Sequence, residues 1–144
     1  MILPGPQTGP QDDGDGKSHS YHIDFQRLIE LKRSPGFMLA SRLDPDLPYS
    51  PQGEQDADAL QKVVEQIADR STGERGFIQP EMPIQEIVFR VMLLRRNQPI
   101  PLRELHQEVT ERWATPVRPI SLSQKGLKRV LEADTYYGFA EAES

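Results

Sequence analysis

Residues 83–139 read PIQEIVFRVMLLRRNQPIPLRELHQEVTERWATPVRPISLSQKGLKRVLEADTYYGF, three helical periodicities set apart by prolines. In the first, Ile84, Ile87, Val88, Val91 and Leu94 form an apolar stripe at helical spacing. Phe89, Met92 and Leu93 widen it until only Gln85, Glu86 and Arg90 face outward, which predicts a helix buried on more than one side. Pro83 suits the first helical position, Arg95 and Arg96 suit the last turn, and Gln98-Pro99 makes the break. The second periodicity turns Leu102, Leu105, Val109 and Trp113 inward and Glu104, Gln107, Glu108 and Glu111 outward, stopping before Thr115-Pro116. His106 lies beside that inward stripe with no acid or nucleophile at a readable spacing, so it reads as a packed or surface histidine. The third helix is capped by Ser121 or Ser123 and turns Leu127, Val130 and Leu131 inward. Gln124, Lys125, Lys128 and Arg129 project elsewhere, where a helix laid on nucleic acid would carry its polar contacts.

Two short strands are expected around these helices. Ile100, between Pro99 and Pro101, suits an edge strand, and Thr135–Ala140 contains the strand formers Tyr136, Tyr137 and Phe139. The second is expected to pair beside Ile100.

Upstream, Leu60, Val63, Val64 and Ile67 predict an amphipathic helix over Glu54–Arg70, closed by Ser71-Thr72-Gly73. Pro45, Pro48 and Pro51 make Asp44–Gly53 an extended linker. A short helix over Asp24–Arg33 is capped by Asp24 and stopped by Ser34-Pro35-Gly36, with Phe37-Met38-Leu39 extending its apolar contact. Phe25, Leu28, Phe37 and Met38 are the candidate partner-binding residues of this segment, the other reading being that it docks on its own domain. Residues 1–20 are rich in Pro, Gly, Gln, Asp and Ser and are expected to be a disordered acidic tail. Within them Gly14–Ser18 imitates a phosphate-binding loop, but Gln11 stands where that loop needs glycine. A calcium loop fails as well, because His22 falls at the position of its bidentate acid. His19, His22 and Asp24 have a spacing that could suit metal ligands, and a solvated helix entry is the expected reading.

The chain of 144 residues supports one core, and its 13 prolines and 10 glycines leave part of it outside that core. Three divisions follow: a tail over 1–20, a short helix with a Pro-rich linker over 21–53, and a helical domain over 54–144 centred on 83–140. The absence of cysteine removes disulfides, thiolate metal sites and cysteine nucleophiles. The formal charge of −5 is uneven, since residues 83–144 hold nine Lys/Arg against eight Asp/Glu and the acidic excess lies before them. No stretch approaches the roughly 18 apolar residues of a membrane span, and the first residues lack the pattern of a secretory signal, so a cytoplasmic location is expected.

The opening helix Ile84–Leu94, the junction Gln98-Pro99-Ile100-Pro101-Leu102-Arg103-Glu104-Leu105, the stripe Leu127–Leu131 and the terminal aromatic strand Tyr136–Phe139 together resemble the winged helix-turn-helix superfamily. The variety nearest in pattern is the HARE-HTH type, found in the delta subunit of bacterial RNA polymerase and in chromatin-associated and restriction proteins. The resemblance implies a mainly α fold, a three-helix core with a wing reduced to one strand, and a role in DNA binding or transcription. Gln124, Lys125, Lys128 and Arg129 would then carry the nucleic-acid contacts, with double-stranded DNA as partner. The alternative is a protein-interaction adaptor in a larger complex, favoured by the near-neutral charge of residues 83–144. No paired acids, triad or metal set occurs at a credible spacing, so no enzyme, cofactor, metal or small-molecule substrate is expected.

Overall fold

Tyr21 and Ile23 alternate with Ser20 and His22, and that two-residue period builds the centre of a small sheet. In the computed structural model, which describes residues 19–42, 56–71, 76–113 and 122–142, the elements run in this order. Strand β1 (Ser20–Ile23) leads into helices α1 (Phe25–Glu30), α2 (Pro35–Ala40), α3 (Ala57–Ser71) and α4 (Ile84–Leu94). Strand β2 (Ile100–Pro101), helices α5 (Leu102–Trp113) and α6 (Gln124–Glu132) and strand β3 (Phe139–Glu141) follow. The fold is mainly helical, with one three-stranded antiparallel sheet of order β2-β1-β3. Among the described residues no helix is long and apolar enough to cross a membrane.

The middle position of β1 corrects two expectations. The terminal strand does not pair beside Ile100, because β1 lies between them, with Tyr21 opposite Ile100 on one side and Ile23 opposite Phe139 on the other. Residues 20–23 are also not a helix entry, since Tyr21 and Ile23 turn into the core while Tyr21 pairs with both neighbouring strands and Ile23 pairs with β3. The terminal strand is shorter than Thr135–Ala140 as well. The Asp134 carboxylate takes the backbone N–H groups of Tyr136, Tyr137, Gly138 and Phe139, holding that segment as a turn until Phe139.

Asp24 caps α1 as expected, its carboxylate accepting from Gln26 N and Arg27 N. Ser34-Pro35-Gly36, expected only to stop α1, also starts a helix. Ser34 Oγ accepts from Phe37 N and Pro35 occupies the first helical turn, where its missing N–H costs nothing. Together β1, α1 and α2 contribute Tyr21, Ile23, Leu28, Met38 and Leu39 to the same core as Ile87, Phe89, Leu105 and Leu127. A domain boundary at residue 54 therefore divides side chains that share one core. Helix α4 is the hub, packed on α3 and α5, with Ile87, Val88, Phe89, Val91, Met92 and Leu93 buried. The expected disordered tail lies outside the described residues except for His19 and Ser20, and so does the expected linker over 44–53.

Candidate functional site

Helix α6 begins where Ser123 Oγ accepts from Gly126 N at 2.9 Å, and it packs on α5 through its buried Leu127 and Leu131. Val130 is only half-buried, so the inner stripe is narrower than its periodicity indicated. His106 of α5 bonds through Nε2 to the Leu122 carbonyl, fastening the entrance of α6 to its neighbour. Lys125 and Arg129 are exposed, one helical turn apart on the side away from Leu127 and Leu131. Neither has a carboxylate partner among the described residues. Lys128 is half-buried with its Nζ 4.0 Å from Glu132, and Gln124 is half-exposed in the first turn. The predicted quartet is thus on one short helix, but two of its members carry free charge.

Tertiary structure brings groups to the C-terminal end of α6 that no spacing in the sequence indicates. Arg27 of α1 donates from Nη2 to the Asp134 carbonyl at 3.0 Å, joining the end of α1 to the end of α6. Just beyond, the Arg33 guanidinium lies 4.3 Å from the ring centroid of Tyr136, a cation–π contact. Lys32 and Arg33 are exposed and have no carboxylate partner among the described residues. The Tyr136 ring is 43% exposed and meets Tyr137 edge-on at 4.9 Å between centroids.

The loop that presents Tyr136 is held from behind. Asp134 is buried, and its two oxygens accept four backbone N–H bonds between 2.8 and 3.0 Å. Tyr137 stacks on Phe139 and donates its hydroxyl to Glu86 Oε1 at 3.0 Å. Glu86 in turn receives Arg42 through two bonds of 3.0 and 2.7 Å and Arg90 through one of 2.7 Å. On the helical wheel Glu86 and Arg90 face outward, yet their side chains are only 13% and 20% exposed, because Arg42 and Tyr137 close over Glu86 and Arg90 packs on the Phe77 ring and bonds its carbonyl. Burial pushes the Glu86 carboxyl up, but the hydrogen bonds from Arg42 and Arg90, the Arg42 charge and the Tyr137 hydroxyl outweigh it, leaving the group below its ordinary range. Burial first, and then the Glu86 charge, push the Tyr137 phenol up to about 12. The cluster ties α2, α4 and the post-α6 loop together, and its polar groups are engaged with one another.

The predicted partner-binding residues separate. Leu28 and Met38 are in the core, Phe25 is half-buried against it, and Phe37 is 69% exposed on α2. The three candidate metal ligands are not gathered either: Asp24 caps α1, His19 Nδ1 pairs with Glu141, and His22 faces the sheet's half-exposed side. Among the described residues no three His, Asp or Glu side chains are grouped to hold a metal ion. An open cleft of about 470 Å³ between β1–α1 and α3 includes Asp24, Gln61 and Asn97. These three are already engaged, with the α1 cap, with Glu65 and the Arg96 carbonyl, and with Ile23 respectively.

Comparison of the chain with family models, with curated proteins and with solved structures finds no match.

Proposed function

We propose that this chain is a non-enzymatic nucleic-acid-binding module in which α6 lies against the phosphates of duplex DNA. The observation that carries the reading is a contrast in charge pairing. Arg90, Arg95 and Arg112 on α4, its end and α5 are matched by Glu86, Glu104 and Glu108, with Arg103 of α5 alone among them left unmatched, whereas on α6 both exposed cations, Lys125 and Arg129, have no carboxylate among the described residues. Unpaired exposed cations on one helix face are available to replace counterions along a phosphate backbone. A winged-helix reading is supported by the order α4-β2-α5-α6-β3, with β1 lying antiparallel beside β3 as the second strand of a wing would. No turn joins those two strands, so any wing here is assembled from opposite ends of the described chain.

The test is fluorescence anisotropy with a labelled duplex at several salt concentrations. Replacing Lys125, Lys128 and Arg129 by Ala is expected to flatten the slope of log K against log salt by about 0.9 for each phosphate that these side chains neutralise. Absence of duplex binding at low salt would overturn the reading. An adaptor role is then favoured by one observation, the wide exposure of Phe37 on a helix whose Met38 and Leu39 are buried. A pull-down with the wild type and Phe37→Ser would test it, and equal recovery of partners by both would remove that support.

A further inference from the structure

We infer that Tyr136, with Arg33 against its ring, is a stacking platform for an unpaired base. The preferred ligand is then a duplex that continues into a single strand beyond α6. This rests on the proposal that α6 contacts phosphates, and it specifies the nucleic acid that face would take.

Position comes first. Tyr136 follows the α6 C-cap, Ala133, by three residues, which puts its ring just past the end of the helix that carries Lys125 and Arg129. Helical rise puts Arg129 about 6 Å from Lys125, and the helix end about 4.5 Å further on. Past the exposed Glu132 of the last turn, Arg33 at the Tyr136 ring and its neighbour Lys32 supply further free cations beyond the end of α6.

Rigidity is the second ground. The four hydrogen bonds to Asp134 and the edge-on contact with Tyr137 hold the Tyr136 ring in place before any ligand arrives. Its hydroxyl has no hydrogen-bond partner among the described residues, unlike that of Tyr137, so the polar end contributes nothing to the fold. The Arg33 guanidinium covers one face of the ring, so an unpaired base stacks on the outer plane of this guanidinium–ring pair while neighbouring free cations take the backbone charge. Bases inside a duplex have both faces covered by their neighbours, so such a ring engages a base only where the stack has ended.

The experiment compares a blunt duplex with the same duplex carrying a short single-stranded extension, by anisotropy, using the full chain. The extension is expected to tighten binding about tenfold, the effect of stacking roughly one base. Tyr136→Ala should abolish that preference and leave blunt-duplex binding unchanged, Tyr136→Phe should retain it, and Phe37→Ala should not alter it. Circular dichroism on Tyr136→Ala checks that the fold is intact. Equal binding of blunt and extended duplexes overturns the platform while leaving the α6 reading standing. Failure to bind either overturns both. If poly-glutamate competes as well as the extended duplex, the face is a general polyanion surface and the platform is again overturned.

Discussion

Asn97 completes the hydrogen bonding of Ile23 with its side chain: Oδ1 accepts from Ile23 N at 2.8 Å and Nδ2 donates to Ile23 O at 2.9 Å. Strand β2 extends only to Ile100, so beyond the Tyr21–Ile100 pair the edge of β1 has no backbone neighbour. The carboxamide presents the same donor and acceptor as a strand residue and takes that place. Asn97 itself sits at φ 56°, a conformation that asparagine tolerates better than most residues.

Asn97→Ala is accordingly expected to destabilise the fold by about 2–4 kcal/mol, since two part-buried backbone groups are left without partners at once. Asn97→Asp retains the acceptor but sets a carboxylate against the Ile23 carbonyl, so it should also be less stable than wild type. Chemical denaturation of the three proteins checks the order, and an Asn97→Asp protein as stable as wild type would contradict this role.

Gly138 offers a sharper steric test. Its φ is +81°, and a Cβ there would lie 2.7 Å from Leu28 Cγ and 3.1 Å from the Asp24 carbonyl oxygen. Gly138→Ala should therefore cost roughly 2–4 kcal/mol through backbone strain and overpacking together. Shortening Leu28 relieves only the side-chain clash. The double change Gly138→Ala with Leu28→Ala is expected to show a favourable coupling in a double-mutant cycle while remaining far below wild-type stability.

The N-terminal elements should be indispensable. A chain beginning at residue 54 lacks Tyr21, Ile23, Leu28 and Leu39, all buried, each representing about 1.5–3 kcal/mol of burial. That sum is comparable with the whole net stability of an ordinary domain, about 5–15 kcal/mol. Such a fragment is expected to show no cooperative thermal transition by Trp113 fluorescence, and a peptide spanning 19–42 added in trans should restore one. A cooperative melt of the fragment alone would show that 54–144 is self-sufficient after all.

Two titrations report the Glu86 cluster. Because the folded-state pKa of Glu86 is lowered, its contribution to stability is full above the ordinary carboxylate range and is lost as pH falls through the folded value. Tyr137 is raised, so its contribution is full below about 10 and is lost as pH rises through about 12. Glu86→Gln should reduce the acid dependence of stability and bring the phenolate absorbance transition of Tyr137 down toward 10, incompletely because burial remains. Tyr137→Phe should cost about 1 kcal/mol at neutral pH, the net value of one hydrogen bond.

What the sequence determined by itself is what lies within a few residues along the chain. Helices α3, α4, α5 and α6 were legible because a 3.6-residue period of apolar side chains and nearby caps are local signals, and Asp24 and Ser123 cap where their spacing indicates. The cations of α6 were legible for the same reason. The order of the sheet was not, because β1 finds β2 and β3 across about eighty and about 120 residues of chain, and four alternating residues do not name their neighbours. The partial burial of Glu86 and Arg90 was likewise hidden, since on the helix they face outward and only the arrival of Arg42 and Tyr137 at Glu86, and of Phe77 at Arg90, covers them. The meeting of Arg33 with Tyr136 is of this kind too. Those residues stand 103 positions apart, and packing of α1 against the end of α6, through Leu28 at Gly138 and Arg27 at Asp134, is what makes them neighbours.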